Sequence, residues 1–300
     1  MKRVISVILM VAAMFSPMGL SNGHFGWAEL SALCEEESIP MAEGRLKAGG
    51  KNRVVGKIAG DNDAELHFQH LTERHPEEIN TQVNLEIREF ATLESLLMAL
   101  NRGDITMASM NESTAEYVLA QNPEYQIMTL PTSSQKMAYA MMFRRADDGI
   151  FADVNRAIRE MKEDGTMDDL IRDYLEGFIS GEAASAQEPL PEFAGAPVVR
   201  VAVSGDFPPM DLIHAGGEPV GFNVAMLSEI ARREHINFQL IVVEAPSRMV
   251  ALSTGKVDAL FWANGSYCVE HDFSAFRERE DMLITDFYYV DDIVRLFRAE

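Results

Sequence analysis

The chain reads as an α/β protein whose mostly parallel sheets are flanked by helices, and three features carry that expectation. Short runs such as Val198–Val203 and Phe238–Val243 are almost continuously apolar and β-branched, as strands buried on both faces are. Between such runs lie stretches with apolar residues at helical spacing, among them Thr92–Asn101 and Val224–Arg233. Gly, Pro, Asn and Asp separate the two kinds of segment with little irregular sequence. A length of 300 residues with 47% apolar content is enough to build one large or two ordinary domains.

The chain opens with Lys2-Arg3 and the apolar run Val4–Phe15, too short for a bilayer span of about 20 residues. Residues 1–28 therefore read as a signal peptide, cut at Gly26-Trp27-Ala28 or within 16–23. Leu33 is bulky and Cys34 lies far from the apolar run, which argues against a lipid anchor at that cysteine. Cys34 and Cys268 allow one disulfide or two unpaired thiols, and two cysteines alone make no metal cluster. Residues 29–52 form an acidic, then Gly-rich extension with a short helix near Leu30–Glu37.

From there the expected elements follow in order. Arg53–Ile58 is a strand, Gly60-Asp61-Asn62-Asp63 a loop, and Ala64–Arg74 a helix capped by Asp61 or Asp63. Val83–Phe90 alternates like a strand, and Thr92–Asn101 is a helix stopped at Gly103. Ile105–Met110 is a strand, Asn111–Thr114 opens the helix Ala115–Gln121, and Tyr125–Leu130 and Met137–Phe143 are strands. Two helices, Asp153–Glu163 and Met167–Tyr174, precede a breaker-rich linker from Ser180 to Pro197. Strand Val198–Val203 then stops at Ser204–Met210, where Pro208 and Pro209 lack ladder donors. Helix Val224–Arg233, strand Phe238–Val243, helix Ser247–Thr254 with its stop at Gly255, and strand Val257–Trp262 complete the pattern.

A formal net charge of −21 argues against a nucleic-acid partner, which needs a basic face, and fits an anionic membrane surface poorly. His67, His70 and His75 lack a ligand-spaced carboxylate or Cys and read as surface residues, so no metal site is expected. No Gly-x-Ser-x-Gly, phosphate loop or dinucleotide loop is present, so neither a catalytic residue nor a cofactor is expected.

The run from Val198 to Asp258 goes further. Its opening strand, the Asp206-Phe207-Pro208-Pro209 turn, Gly221-Phe222-Asn223-Val224 and Leu252-x-x-Gly255-Lys256-Val257-Asp258-Ala259 together resemble the amino-terminal lobe of bacterial extracellular solute-binding proteins of the amino-acid-binding type, family 3. Gly44–Asn52 leading into Arg53–Ile58 resembles the opening of that family's second lobe. Val154-Asn155-Arg156-Ala157-Ile158 through Asp164-Gly165-Thr166 resembles its closing helices. The resemblance implies a two-lobed periplasmic-binding-protein-like fold, periplasmic after signal cleavage and without membrane insertion. It would capture a small polar solute between its lobes for an ABC-type permease, with no catalysis. Two alternatives stay open: an exported dehydratase on the same fold, with Glu112 or Asp206 as general acid, or a sensing or docking module whose receptor is another chain.

In this chain the closing phrase precedes the opening one. The expected layout is a second lobe at 53–143, return helices at 144–178 packing on the first lobe, a linker at 179–197 and the first lobe at 198–300. That is the order of a circular permutation, or of a tandem that lost one lobe from each copy. On the permuted reading one interlobe crossing stays continuous near Phe143-Arg144-Arg145. The other is cut between Glu300 and the lead-in to Arg53, and the hinge is loosened.

The resemblance also proposes a site. Asp206 and Phe207 match the family's solute-contacting pair, with Phe222 nearby and Trp262, Asn264 and Ser266 following the third strand. Gly60, Asp61 and Asn62 stand at the second lobe's solute loop. Asn111 stands where the family has the Asp that meets an α-ammonium, with Glu112 beside it. The family's Thr and Arg that hold an α-carboxylate are replaced by Tyr267 and Glu270, leaving Arg248, Arg277 and Arg279 as substitutes. Both anchors of a zwitterion are thus altered.

Overall fold

The computed structural model describes residues 53–58, 85–129, 136–181, 187–214, 216–265 and 282–298. Expectations for the signal peptide, the extension, both cysteines, the three histidines, helix 64–74 and residues 266–281 lie outside these.

Along the chain, β1 (Arg53–Ile58), β2 (Leu85–Phe90), α1 (Leu93–Arg102), β3 (Met107–Asn111), α2 (Glu112–Gln121) and β4 (Tyr125–Thr129) come first. They are followed by β5 (Lys136–Arg144), α3 (Asp148–Glu163), α4 (Thr166–Leu170), a π-helical stretch Ile171–Glu176 and α5 (Gly177–Ser180). After the linker come β6 (Val198–Val203), three short strands β7 (Asp206–Phe207), β8 (Asp211–Ile213) and β9 (Pro219–Val220), α6 (Phe222–Glu234) and β10 (Asn237–Val242). The last elements are α7 (Arg248–Ser253), β11 (Ala259–Gly265), β12 (Met282–Ile284) and β13 (Tyr289–Arg298).

The fold is mixed α/β, as the periodicities imply. Two sheets are joined into one hydrogen-bonded array, in the order β10-β6-β11-β5-β13-β3-β1-β2. In sheet I, β10 and β11 lie parallel to β6 on either side of it. In sheet II, β2 and β3 lie parallel to β1. The antiparallel strands sit where the two sheets meet. β5 pairs with β11 and β12, while β13 pairs with β5 through 289–292 and with β3 and β4 through 293–298. A separate antiparallel ribbon, β7-β8-β9, stands on the loop after β6.

Each sheet has its own apolar packing. Against sheet I, α3 and α6 bury Ile158, Met161, Phe222, Met226 and Leu227 on Met141, Phe143 and Val201. Each fully buried side chain of this size contributes about 1.5–3 kcal/mol. Sheet II carries α1 and α2 through Leu96, Leu100 and Val118. Helix α1 forms where its spacing requires: Thr92 caps Ser95 reciprocally at its start, and Gly103, at φ 74°, ends it.

Three details bear on the junction. The carboxylate of Asp258 accepts from the Arg200 guanidinium at 2.6 Å and the Arg144 guanidinium at 2.9 Å, tying β6 to the end of β5. The ring of Phe178 in α5 stacks on Tyr117 of α2 at 5.5 Å, so the last helical turn packs on sheet II's helix as well as on its own neighbours. The linker residues 187–197 are fastened down. Gln187 exchanges hydrogen bonds with both backbone groups of Gly221, and Asn237 does the same with Phe193.

The expected crossings are corrected by this topology. Residues 137–143 are paired throughout with β11, so the chain has already entered sheet I before Phe143. The second passage is not cut, because β13 itself runs uninterrupted from one sheet into the other. The loosened hinge expected from a severed crossing is therefore withdrawn.

Gly221, at φ 115°, lets α6 begin against the turn, and a Cβ there would lie 2.6 Å from the carbonyl oxygens of Pro209 and Met210. Gly221→Ala is expected to destabilise the protein by about 2 kcal/mol or more. A shift of the urea midpoint checks this.

Candidate functional site

Ligands of open α/β sheets gather at the carboxyl ends of parallel strands. Here those ends belong to β6, β10 and β11 in sheet I and to β1, β2 and β3 in sheet II, and the loop after β6 reaches across. The carboxylate of Asp206, at the start of β7, accepts a hydrogen bond from the backbone N–H of Leu93 at 3.3 Å. Leu93 is the first residue of α1, whose N-terminus carries unsatisfied donors and partial positive charge.

The loop that presents Asp206 is held from beneath. Asp211 accepts from the Ser204 N–H at 2.9 Å, the Ser204 hydroxyl at 2.8 Å and the Gly205 N–H at 2.8 Å. Its other oxygen takes the Asn223 amide at 3.4 Å, and Asn223 in turn accepts the Tyr288 hydroxyl at 3.0 Å. This buried network fixes the turn from β6 into α6 without involving Asp206. Phe207 is left half-buried at the edge of the main core. Burial pushes the Asp206 carboxyl above the usual carboxylate range; the Leu93 N–H opposes this, Asp211 adds to it, and Arg248 opposes it again.

Behind this loop the junction is aromatic. Tyr139 of β5 lies opposite Tyr289 of β13, ring centroids 5.7 Å apart, and Phe222 meets Tyr289 edge-on at 5.8 Å. Asn111, at the end of β3, is buried and its amide donates to the Tyr139 hydroxyl. Asp291 of β13 is buried too, accepting from the Ser113 hydroxyl at 2.5 Å and the Ser113 N–H at 3.3 Å, so it caps the first turn of α2. Burial pushes Asp291 up to about 7 despite those hydrogen bonds, and the nearby Glu112 adds to the rise. Tyr289 is likewise driven up by burial and by the carboxylates of Asp291, Glu116, Glu112 and Glu176.

The sequence-derived residues divide into groups. Asp206, Phe207, Arg248, Asn111 and Glu112 are all at strand ends or helix starts around the junction. Arg248 is half-buried and donates to the Val243 carbonyl at 3.3 Å. Phe222 is corrected: it is fully buried between Tyr288 and Tyr289 and serves as core. Trp262 and Asn264 lie in β11, opposite Ala140 and Ala138 of β5. Gly60, Asp61, Asn62, Ser266, Arg277, Arg279, Tyr267 and Glu270 lie outside the described residues. Sequence reasoning does not single out Leu93, Tyr139 or Asp291. The signals available for them were the capping box at Thr92 and the Asp291-Asp292 pair inside an otherwise apolar stretch.

Among the described residues no group of His, Cys, Asp and Glu is arranged to hold a metal ion, and no helix is long and apolar enough to cross a membrane.

These features describe an α/β protein of two sheets with a candidate site at their junction. Residues 199–266, from β6 through β11, match the family of bacterial extracellular solute-binding proteins, family 3. No protein with a curated description matches the chain in sequence. Among solved structures, the chain is similar to the zinc-bound ligand-binding component of an ABC-type import system from Staphylococcus aureus, with 13% identity and a TM-score of 0.44. That match covers 83% of this chain and 66% of the other, just under two thirds of its length. The GluR0 ligand-binding core from Nostoc punctiforme in complex with L-glutamate matches at 11% identity, TM-score 0.38, covering 83% and 86% of the two chains. A regulatory domain of OxyR2 from Vibrio vulnificus matches at 12% identity, TM-score 0.43, covering 83% and 89%. With TM-scores below 0.5, none of these likenesses defines the function.

The buried Asp291 generates a test. Its folded carboxyl titrates at about 7, against about 3.9 for an unfolded Asp. The native state therefore binds the proton more tightly than the unfolded state does. Stability falls as pH rises between the two values, by at most about 1.4 kcal/mol per pH unit. Asp291→Asn keeps an acceptor for Ser113 and removes the titration. Its urea midpoint is expected to change less than that of the unsubstituted protein between about pH 4 and about pH 7.

Proposed function

We propose that this chain is an exported solute-binding protein that captures a small polar solute at the junction of its two sheets and delivers it to a membrane permease of the ABC type. The observation that carries this reading is the placement of the family-matched segment. Its first strand-end loop, with Asp206 and Phe207, meets the N-terminus of α1 in the other sheet. A solute held there would touch groups from both sheets, so binding would be coupled to how the sheets approach each other. The solute contacts we assign are Asp206, Phe207, Arg248, Asn111 and Glu112, with Trp262, Asn264, Ser266, Arg277 and the Gly60-Asp61-Asn62 loop completing the set. The function requires binding and release and no covalent step.

The chain order is read here as a circular permutation of one two-lobed module. In support, β13 supplies sheet II with the strand beside β3, while β5 supplies sheet I with the strand beside β11. Each sheet thus draws on both sides of the linker, as a single rearranged module would.

The test is a thermal-shift screen of the mature chain against amino acids, polyamines, dicarboxylates and short peptides. A solute at a hundredfold excess over its Kd adds about 2.7 kcal/mol of stability. One chemical class should raise the midpoint, and the Asp206→Ala, Phe207→Ala double variant should melt cooperatively without responding to it. Binding unchanged in the double variant would remove the site assignment, and turnover of the solute would replace binding with catalysis.

A further inference from the structure

Arg295 stands apart from the candidate site, in the middle of β13 where that strand is paired on both sides, with Ser109 of β3 and with Met128 of β4. It is 9% exposed. Its guanidinium donates to the Ser109 hydroxyl at 2.5 Å and to the carbonyl of Val294 at 3.3 Å. Among the described residues no carboxylate pairs with it. Residues two apart along a strand share a face, so its neighbours there are Ile293 and Phe297 on β13 and Met128 opposite. A guanidinium has five N–H donors, and a buried charge without a counter-ion costs several kcal/mol. Burial alone lowers Arg295, to about 10, which leaves it a cation at neutral pH.

A second cation shares the row. Gly56 of β1 pairs with Ala108 of β3 in parallel register, which brings the next residue, Lys57, level with Ser109 on the face that holds Arg295. Lys57 is 7% exposed and lies 3.2 Å from Glu89 of β2, itself mostly exposed. Adjacent strands are roughly 4.8 Å apart, so the backbones of Lys57 and Arg295 are separated by roughly 10 Å, with the Ser109 hydroxyl between them. Two cations thus stand on one face of sheet II, and the guanidinium of Arg295 retains unused donors in a fork suited to paired oxygens.

We propose that Arg295, with Ser109 and Lys57, forms a binding site for a small oxyanion, a carboxylate or a phosphate group, on the face of sheet II. The site is distinct from the solute position at Asp206 and Phe207, and it supplies a counter-charge to Arg295, which no carboxylate among the described residues provides. Its ligand stabilises the folded chain whether or not a solute is bound.

The experiment is thermal unfolding of the full mature chain in inorganic phosphate, and separately in acetate, against chloride at matched ionic strength. Wild-type protein should show a saturable rise in midpoint with at least one of the two, and the one that acts separates a tetrahedral from a carboxylate ligand. Arg295→Met should fold with a chloride midpoint no lower than wild type, since it replaces an unpaired buried charge by an apolar side chain, and should lose the saturable response. Ser109→Ala, which alters no charge, should need several-fold more anion for the half-maximal shift. A wild-type midpoint indifferent to both anions, or an equal response in wild type and Arg295→Met, would overturn the proposal. Should Arg295→Met not fold, an unchanged half-maximal concentration in Ser109→Ala would overturn it instead.

Discussion

Strand β13 is hydrogen-bonded to two sheets in succession, and the arrangement of everything else follows from that. Through 289–292 it lies beside β5, and from 293 onward it lies between β3 and β4. Neither sheet is complete without a strand from the other side of the linker. Sheet II would lose the strand between β3 and β4, and sheet I without β5 would lose its link to β12 and β13. The change of partner occurs at Asp291-Asp292. There the Asp291 carboxylate, spared from solvent, satisfies the first turn of α2, so the strand that joins the sheets also anchors the helix beside the junction.

The candidate site depends on this in a definite way. Asp211, Asn223 and Tyr288 form a buried chain of hydrogen bonds that fixes the loop after β6, and Tyr288 immediately precedes β13. The rigid part of the loop is thereby tied to the joining strand. Asp206 is free of that network and meets α1 of the opposite sheet. A carboxylate at a helix N-terminus is a modest interaction, about 0.3–1 kcal/mol where exposed, which suits a contact that a solute has to compete with or add to.

Much of this was legible in the sequence. Helix Thr92–Asn101 announces itself through its apolar spacing and Gly103, and the structure places α1 one residue along, with Thr92 as its cap. The strand-turn-helix unit from Val198 to Arg233 is as the periodicity implies, because the apolar run, the two prolines and Gly221 each have one plausible backbone role. β13 was not legible. Asp291-Asp292 interrupts its apolar pattern, and the buried Asp291 is satisfied by Ser113, a partner 178 residues away in the chain. Phe222, set beside the solute-contacting pair by resemblance, packs tightly against Tyr288 and Tyr289 as part of the core. Short strands such as β7 and β9, of two residues each, have no periodicity to read.

The claim on which the account rests is that the segments before and after the linker build one unit by supplying each other's sheets. Expressing the chain as two pieces, divided between Gly181 and Gln187, tests it directly by circular dichroism and tryptophan fluorescence. The account predicts that each piece alone lacks a cooperative melt, and that mixing them restores native-like signal with one shared transition. A piece that folds cooperatively alone and gains nothing from its partner would contradict it.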